Sequence, residues 1–334
     1  MNSYHTLPIE TKRLLIEQTS LKYGLSKQIV EKDLWVSILL EVIFILPFAN
    51  KLVFKGGTSL SKVWGLINRF SEDIDLAVDR SYFGLEGDLT VKQLKKLRKA
   101  SSLFVSNEFY EELKKSIDNY GLSEYLDIEV EPNGEGDKTY PEPRKIYIKY
   151  KSLFSVELSY VKPQIVLEIG ARSLFEPTKK SMVNSMISTA YQSIQTSVVQ
   201  SEIITAVAAK TFLEKAYLLH ELFTTSACSK AERKSRHLYD LEKMMDKNFA
   251  MNAIIDDNLW NTIHHHRDVF THMHNVDYTP DIRDRITLVP PVEYYKVWED
   301  DYLNMQASMI YEKSIKFKEL IERMKILESR FRNR

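Results

Sequence analysis

Residues 53–78 read VFKGGTSLSKVWGLINRFSEDIDLAV, and this stretch decides the fold that we predict. An apolar run turns at Gly56 and Gly57, continues as an amphipathic segment and ends in the alternating run that contains Asp73 and Asp75. That order predicts a buried strand, a tight turn, a helix and a second strand. Because side chains alternate along a strand, we expect both aspartates on one face, about 7 Å apart from two rises of ~3.3 Å.

The predicted turn and helix are suited to a phosphate group. Gly56 and Gly57 let the backbone approach a ligand without interference from a Cβ atom. We expect Thr58 or Ser59 to cap the helix, whose free N–H groups favour an anion. The helix is predicted to extend along an apolar stripe formed by Leu60, Val63, Trp64 and Ile67.

The two aspartates are suited to a divalent cation. Neighbouring carboxylates repel each other unless positive charge lies between them, and Mg²⁺ is commonly held by one or two carboxylates together with substrate phosphates. Mg²⁺, or Mn²⁺ in its place, at Asp73 and Asp75 would bind a nucleoside triphosphate whose phosphates lie at Gly56–Ser59. Each half alone has a plainer interpretation, a simple turn or a solvated strand face. Their combination in this order favours the site.

Outside this stretch the pattern separates helical from mixed parts. Residues 8–50 carry apolar side chains at helical spacing, whereas 145–150 and 164–169 alternate as strands do. From Glu202 onward the signals are almost all helical. We therefore predict two domains, an α/β core with N-terminal helices over residues 1–200 and a helical domain over residues 201–334.

The bulk composition excludes several classes of protein. The chain has 334 residues, 44% of them hydrophobic and 28% charged, which is ordinary for a globular protein. A formal net charge of +0 gives no overall basic field for nucleic acid. We find neither a signal peptide nor an apolar run long enough to span a membrane. Cys228 is the only cysteine, which excludes an intrachain disulfide and fits a cytoplasmic protein.

Two motifs closely resemble the AbiEii/AbiGii toxin family of nucleotidyltransferases, within the DNA polymerase β-like superfamily. They are Lys55-Gly-Gly-Thr-Ser-Leu-Ser-Lys and Arg69-Phe-Ser-Glu-Asp-Ile-Asp-Leu. Fifteen residues separate Gly57 from Asp73, which is longer than usual in the superfamily and normal in the toxin family. The resemblance implies an α+β fold, in which a polymerase β-like core with a small mixed sheet carries an N-terminal helical cap. A helical C-terminal domain would complete the active site.

The resemblance also implies roles for later residues. Glu168, which interrupts an apolar strand, matches a third metal-binding carboxylate, although it could equally face solvent at a sheet edge. Lys215 matches a lysine that faces the nucleotide, where it would supply positive charge to the triphosphate. Arg236 and Asp240 match an Arg-x-x-x-Asp motif, and their spacing would allow an ion pair on one helix face. Asp240 would orient Lys215 or the nucleobase.

The function that the resemblance implies is an Mg²⁺-dependent nucleotidyltransferase, the toxin of a type IV toxin–antitoxin or abortive-infection (phage defence) system. Its partners would be a nucleoside triphosphate, a cognate antitoxin and an acceptor such as tRNA or another RNA. The lysine-rich stretch 92–99 could contact RNA phosphates, or it could be a solvated helix face. Two alternatives stay open: an NTP- or GTP-binding regulatory protein without transferase turnover, and a helical interaction protein on a relic fold.

Overall fold

The computed structural model describes residues 7–71, 73–136, 139–155, 162–191 and 200–334. Its internal contacts divide the chain into two compact units. The first contains Met1–Val63 and Ser71–Ala206, and the second contains Trp64–Phe70 and Val207–Arg334. The short segment Trp64–Phe70, which lies between the two motifs quoted above, thus belongs to the C-terminal unit.

The first unit is built on a mixed sheet with seven strands among the described residues. The strands are β1 (Leu52–Lys55), β2 (Asp73–Val78), β3 (Leu126–Val130), β4 (Arg144–Tyr150), β5 (Gln164–Gly170), β6 (Thr178–Asn184) and β7 (Gln200–Ala206). Their order across the sheet is β3-β4-β5-β2-β1-β7-β6. The β2–β5 and β1–β7 pairs are parallel and the other pairs are antiparallel. The expectation of a mixed sheet is confirmed.

The first unit contains six helices among the described residues, and the second of them packs on one face of this sheet. They are α1 (Ile9–Tyr23), α2 (Lys27–Ile43), α3 (Gly56–Lys62), α4 (Val91–Phe104), α5 (Tyr110–Asn119) and α6 (Met186–Ala190). Helix α2 contacts β5, β7 and α5, and its Trp35 stacks on Tyr150 of β4 with ring centroids 5.6 Å apart. Alternate residues of β4 and β5 are buried, as a sheet with one covered face requires. The opposite face carries the polar side chains described below.

The second unit is helical. It contains α7 (Ala208–Phe223), α8 (Ser235–Met244), α9 (Asn248–Ile255), α10 (Asp257–His266), α11 (Tyr295–Ser308) and α12 (Phe317–Arg332). Phe212, Ala216, Leu219 and Phe223 are all buried and form an apolar stripe along α7. Among the described helices, none is long and apolar enough to cross a membrane.

Two local predictions were wrong. The segment 200–206 is a strand, although we expected helix from Glu202 onward; its β-branched Ile203, Ile204 and Thr205 favour a strand beside β1. Helix α3 ends at Lys62, so Val63, Trp64 and Ile67 do not extend it. Gly65 adopts a positive φ of 58° shortly after this end, a conformation that does not continue a helix.

Candidate active site

The β1–α3–β2 unit places both aspartates on the open face of the sheet. Ile74 and Leu76 of β2 are 0% and 1% exposed, whereas Asp73 and Asp75, which alternate with them, are only partly buried. The two carboxylates therefore project from the face that the helices do not cover. The predicted orientation of this pair is confirmed.

Gly56 leaves the space in which the carboxylate of Asp75 lies. A Cβ atom built on Gly56 would be 2.0 Å from Asp75 Oδ2, far inside contact distance. Gly56 also has a φ of 78°, which disfavours any residue with a side chain. The glycine thus leaves room for one carboxylate as well as allowing the turn. Any larger residue at this position must displace Asp75.

Thr58 and Ser59 have a structural task in the turn. Both are buried, at 1% and 0% exposure. The Thr58 hydroxyl donates to the carbonyl oxygen of Asp73 at 2.5 Å, and the Ser59 hydroxyl donates to the carbonyl of Gly56 at 2.9 Å. Neither caps α3, because the helix already begins at Gly56. The capping prediction was wrong; Thr58 instead connects the turn to the first residue of β2, and Ser59 closes a hydrogen bond within the turn.

A row of four charged residues crosses the open face, with two carboxylates in the middle and a lysine at each end. Lys55 of β1 is the direct partner of Asp75, Asp75 is the partner of Glu168 on β5, and Glu168 is the partner of Lys145 on β4. Lys145 Nζ is 2.8 Å from Glu168 Oε1, with both side chains about one third exposed (36% and 28%). Glu168 therefore does lie beside Asp75, and it forms an ion pair with a lysine that the sequence did not single out.

The donor set on this face fits a divalent cation that substrate oxygens help to bind. In the part of the chain that the structure describes, no three Asp, Glu, His or Cys side chains are close enough to hold a metal together. Two carboxylates completed by phosphate oxygens are a common arrangement for Mg²⁺. Asp73 and Asp75 satisfy this requirement, and the space above Gly56 keeps the carboxylate of Asp75 on the open face.

A second charged cluster lies inside the helical unit, around Asp240 of α8. The Asp240 carboxylate is 0% exposed and accepts two hydrogen bonds from Arg69, at 2.6 Å from Nε and 2.8 Å from Nη2. Lys215 Nζ of α7 is 2.9 Å from Asp240 Oδ2. Burial alone would raise the pKa of Asp240, but Arg69 and Lys215 outweigh it and hold the pKa well below its usual range. Asp240 therefore contacts Lys215 directly, and the expectation that it orients this lysine stays a prediction.

Arg236 does not form the ion pair with Asp240 that the four-residue spacing suggested. Asp240 is held by Arg69 instead, whose bidentate geometry satisfies both carboxylate oxygens. Within the described chain, the buried Nε of Arg236 has no hydrogen-bond partner. Arg69 and Lys215 thus contact a single carboxylate, and the charge of Arg236 acts on Lys215.

His237 is part of this cluster. Its Nδ1 atom lies 3.3 Å from Lys215 Nζ, so the neutral ring accepts a hydrogen bond from the ammonium group. Burial, followed by the charges of Lys215 and Arg236, lowers the pKa of His237 well below 6.5. Burial also lowers the pKa of Lys215, an effect that Asp240 partly offsets.

The sequence interpretation missed Lys55, Arg69 and Lys145 as members of these clusters, and it assigned His237 to packing or to the surface. Lys55 and Arg69 stand in the two quoted motifs, so their presence was visible. Their partners could not be read from the sequence. Arg69, for example, donates to Asp240, which lies 171 residues further along the chain. Lys145 opens the alternating run at 145–150, and only the pairing of β4 with β5 shows that it faces Glu168.

Comparison with known proteins is consistent with this architecture. Among solved structures, the chain is similar to MenT4, a nucleotidyltransferase toxin from Mycobacterium tuberculosis, with a TM-score of 0.52 and 18% sequence identity. The match covers 96% of this chain and 88% of that one. No curated protein matches in sequence.

The fold is therefore that of a nucleotidyltransferase toxin. Residues 37–323 match the family described as "Nucleotidyl transferase AbiEii toxin, Type IV TA system". The chain belongs to this family, and it is accordingly a nucleotidyltransferase toxin of a type IV toxin–antitoxin system. The resemblance that the first two motifs indicated is confirmed.

Proposed function

We propose that the protein transfers a nucleoside monophosphate from a nucleoside triphosphate to an acceptor in an Mg²⁺-dependent reaction. One observation carries the proposal: Asp73 and Asp75 share the open face of β2, and Gly56 leaves room for the carboxylate of Asp75. In a family of nucleotidyltransferases, such a pair is suited to binding a cation and the triphosphate together.

Asp73 and Asp75 would hold the Mg²⁺ ion, with Mn²⁺ as a substitute. A bound divalent cation supplies positive charge to the phosphate oxygens. Glu168, the third predicted ligand, neighbours Asp75 across the sheet, but its carboxylate contacts Lys145. We propose that Asp73 and Asp75 are indispensable for transfer and that Glu168 assists these two aspartates.

The residues of the turn would position the triphosphate. The hydroxyls of Thr58 and Ser59 are engaged within the turn, so we assign the phosphate contacts of Gly56–Ser59 to the backbone. In the proposed reaction an acceptor hydroxyl attacks the α-phosphorus. The bond between this phosphorus and the oxygen that bridges to the β-phosphate breaks, and pyrophosphate leaves.

Lys215 is proposed to contribute positive charge to nucleotide binding, with Asp240 as its positioning residue. The support comes from the charge of its own cluster, in which Arg69 and Lys215 share one carboxylate and Arg236 adds a further positive charge near Lys215. An anion bound beside them would balance the excess. Because Asp240 is fully buried, it acts through Lys215 and does not contact substrate itself.

RNA, and tRNA in particular, is the acceptor that we propose, and a cognate antitoxin would restrain the activity in the cytoplasm. These proposals rest on the family resemblance. The experiment incubates the pure protein with total tRNA, Mg²⁺ and each of the four α-labelled nucleoside triphosphates in turn. We expect label to appear in RNA with the wild type and to fall by about 10³-fold with Asp73→Asn, because charge stabilisation by the carboxylate-bound cation is lost.

Lys215→Ala serves as the second variant. It should fold, as shown by an unchanged circular dichroism spectrum, and lose most of its transfer activity. Full activity would refute the role of Lys215. If the wild type labels neither RNA nor protein with any nucleotide, the transferase proposal fails under these conditions. Nucleotide binding that survives in that case would favour a regulatory protein without turnover.

A further inference from the structure

A stripe of four lysines runs along α4. Lys92, Lys95, Lys96 and Lys99 are spaced i, i+3, i+4 and i+7, which places them on one side of the helix. All four are exposed. The opposite side is buried through Leu97, Ser101 and Phe104. We call these four residues the lysine stripe.

No carboxylate of the described chain pairs with the lysine stripe, and the Lys99 ammonium lies over the ring of Tyr140, 5.3 Å from its centroid. Helix α4 contains no acidic residue, and none of the four lysines forms an ion pair with any described residue. Other exposed lysines do have carboxylate partners, such as Lys27 with Glu17 and Lys296 with Asp300. Like charges four residues apart destabilise a helix. An external polyanion would remove this repulsion.

The stripe lies at the other end of β2 from the first aspartate. Helix α4 contacts the turn Arg80–Phe83, which follows the last residue of β2, whereas Asp73 is the first residue of that strand. Six strand residues span roughly 17–20 Å. A triphosphate bound at Asp73 therefore does not reach the stripe. Whatever the stripe binds is an extended molecule with charge far from its reacting group.

The composition of the stripe favours a nucleic acid over a protein partner. Lysine is depleted at the centres of protein–protein interfaces, whereas lysines along a helix suit the closely spaced charges of a phosphate backbone. The stripe covers about 10 Å, at 1.5 Å per residue, and so spans several phosphates. We propose that the lysine stripe binds the sugar–phosphate backbone of the RNA acceptor, away from the end that is modified. This inference rests on the proposed transfer to RNA.

The test measures RNA binding without nucleotide, so that it does not depend on turnover. A quadruple variant, Lys92→Gln, Lys95→Gln, Lys96→Gln and Lys99→Gln, is compared with a control quadruple, Lys230→Gln, Lys313→Gln, Lys316→Gln and Lys318→Gln. The control lysines are also exposed and also lack ion pairs within the described chain. Both sets are made in the Asp73→Asn background and titrated against fluorescein-labelled tRNA at several salt concentrations.

We expect the stripe variant to bind tRNA at least about tenfold more weakly near 0.1 M salt. The slope of log affinity against log salt should fall by about 3, because up to four phosphate contacts are lost at ~0.7–0.9 each. The control should bind as its parent does.

An unchanged slope in the stripe variant, an equal loss in the control, or no binding of tRNA by the parent would overturn the inference. Equal competition by polyglutamate of matched charge would also overturn it and favour an acidic protein. If no label is transferred to RNA but tRNA binding still depends on the lysine stripe, the proposed reaction is overturned and the inference about the stripe is not.

Discussion

The open sheet face and the buried cluster of α7 and α8 both combine carboxylates with cations, in opposite ways. On the sheet face, Asp73 and Asp75 are partly exposed beside a glycine that leaves them space. In the helical unit, Asp240 is fully buried and each of its oxygens is held by Arg69, with Lys215 as a third contact. The first arrangement is open to a ligand. The second already has its partners in place, which supports the proposal that it positions Lys215.

The largest difference that we expect between the two regions is in how much a substitution of the carboxylate lowers the free energy of unfolding. Asp240→Ala leaves Arg69 and Lys215 buried without their counter-charge, which we expect to lower the free energy of unfolding by about 3–5 kcal/mol. Asp75→Asn should change it by less than about 0.5 kcal/mol, because the side chain is partly exposed. Urea denaturation of both variants measures the difference. Equal losses of the free energy of unfolding in the two variants would show that burial and ion pairing do not distinguish Asp240 from Asp75.

This contrast also shows which features of the molecule could be predicted from the sequence. The Gly-Gly turn and the Asp-x-Asp alternation are local patterns, so they predicted β1, the turn, β2 and the shared face of Asp73 and Asp75. The partner of Asp240 depends on a contact between distant parts of the chain. Local spacing indicated Arg236, whereas the fold supplies Arg69. The segment 200–206 was missed for the same reason, since its pairing with β1 and β6 decides its conformation.

The next effect tests the space above Gly56. Gly56→Ala should lower the free energy of unfolding by about 1–3 kcal/mol, because its φ of 78° strains an alanine. It should also displace Asp75 and reduce transfer by at least about tenfold. Gly24→Ala is the matched control: Gly24 has a φ of 64°, and nothing lies within 4 Å of its added Cβ. The control should lose similar stability and keep full activity. Equal activity of the two variants would refute the role of Gly56 in placing Asp75.

A smaller effect concerns pH and the helical unit. His220 of α7 is 2% exposed, and burial lowers its pKa from 6.5 to about 4. Because the folded pKa lies below the unfolded one, its stabilising effect is complete above pH 6.5 and declines as the pH falls toward 4. Between pH 7 and pH 5 we expect this residue to account for a loss of about 1–2 kcal/mol.

His220→Gln isolates that contribution. The ring Nδ1 accepts the Thr287 N–H at 3.1 Å, and a glutamine oxygen can replace this acceptor without titrating. Chemical denaturation of the variant across the same pH range should therefore give a shallower slope than the wild type. A slope as steep as that of the wild type would assign the pH dependence to other groups.

The smallest effect concerns the ion pair of the sheet face. Lys145→Gln should change the free energy of unfolding by less than about 1 kcal/mol, since the pair is partly exposed. Glu168→Gln should reduce transfer by about tenfold, and adding Lys145→Gln should reduce it no further if the two residues act as a unit. A double-mutant cycle on the transfer rate measures this coupling. Additive losses would indicate that Glu168 acts independently of Lys145, as a metal ligand would.

The central claim is that the aspartates of the open face support attack on the α-phosphorus of a nucleoside triphosphate. The most direct test supplies the same nucleotide with its label on either the α- or the γ-phosphate, with Asp75→Asn beside the wild type. We predict that the wild type transfers the α-label to the acceptor and releases the γ-label as pyrophosphate, and that Asp75→Asn does neither. Transfer of the γ-label, or undiminished transfer of the α-label by Asp75→Asn, would contradict the account.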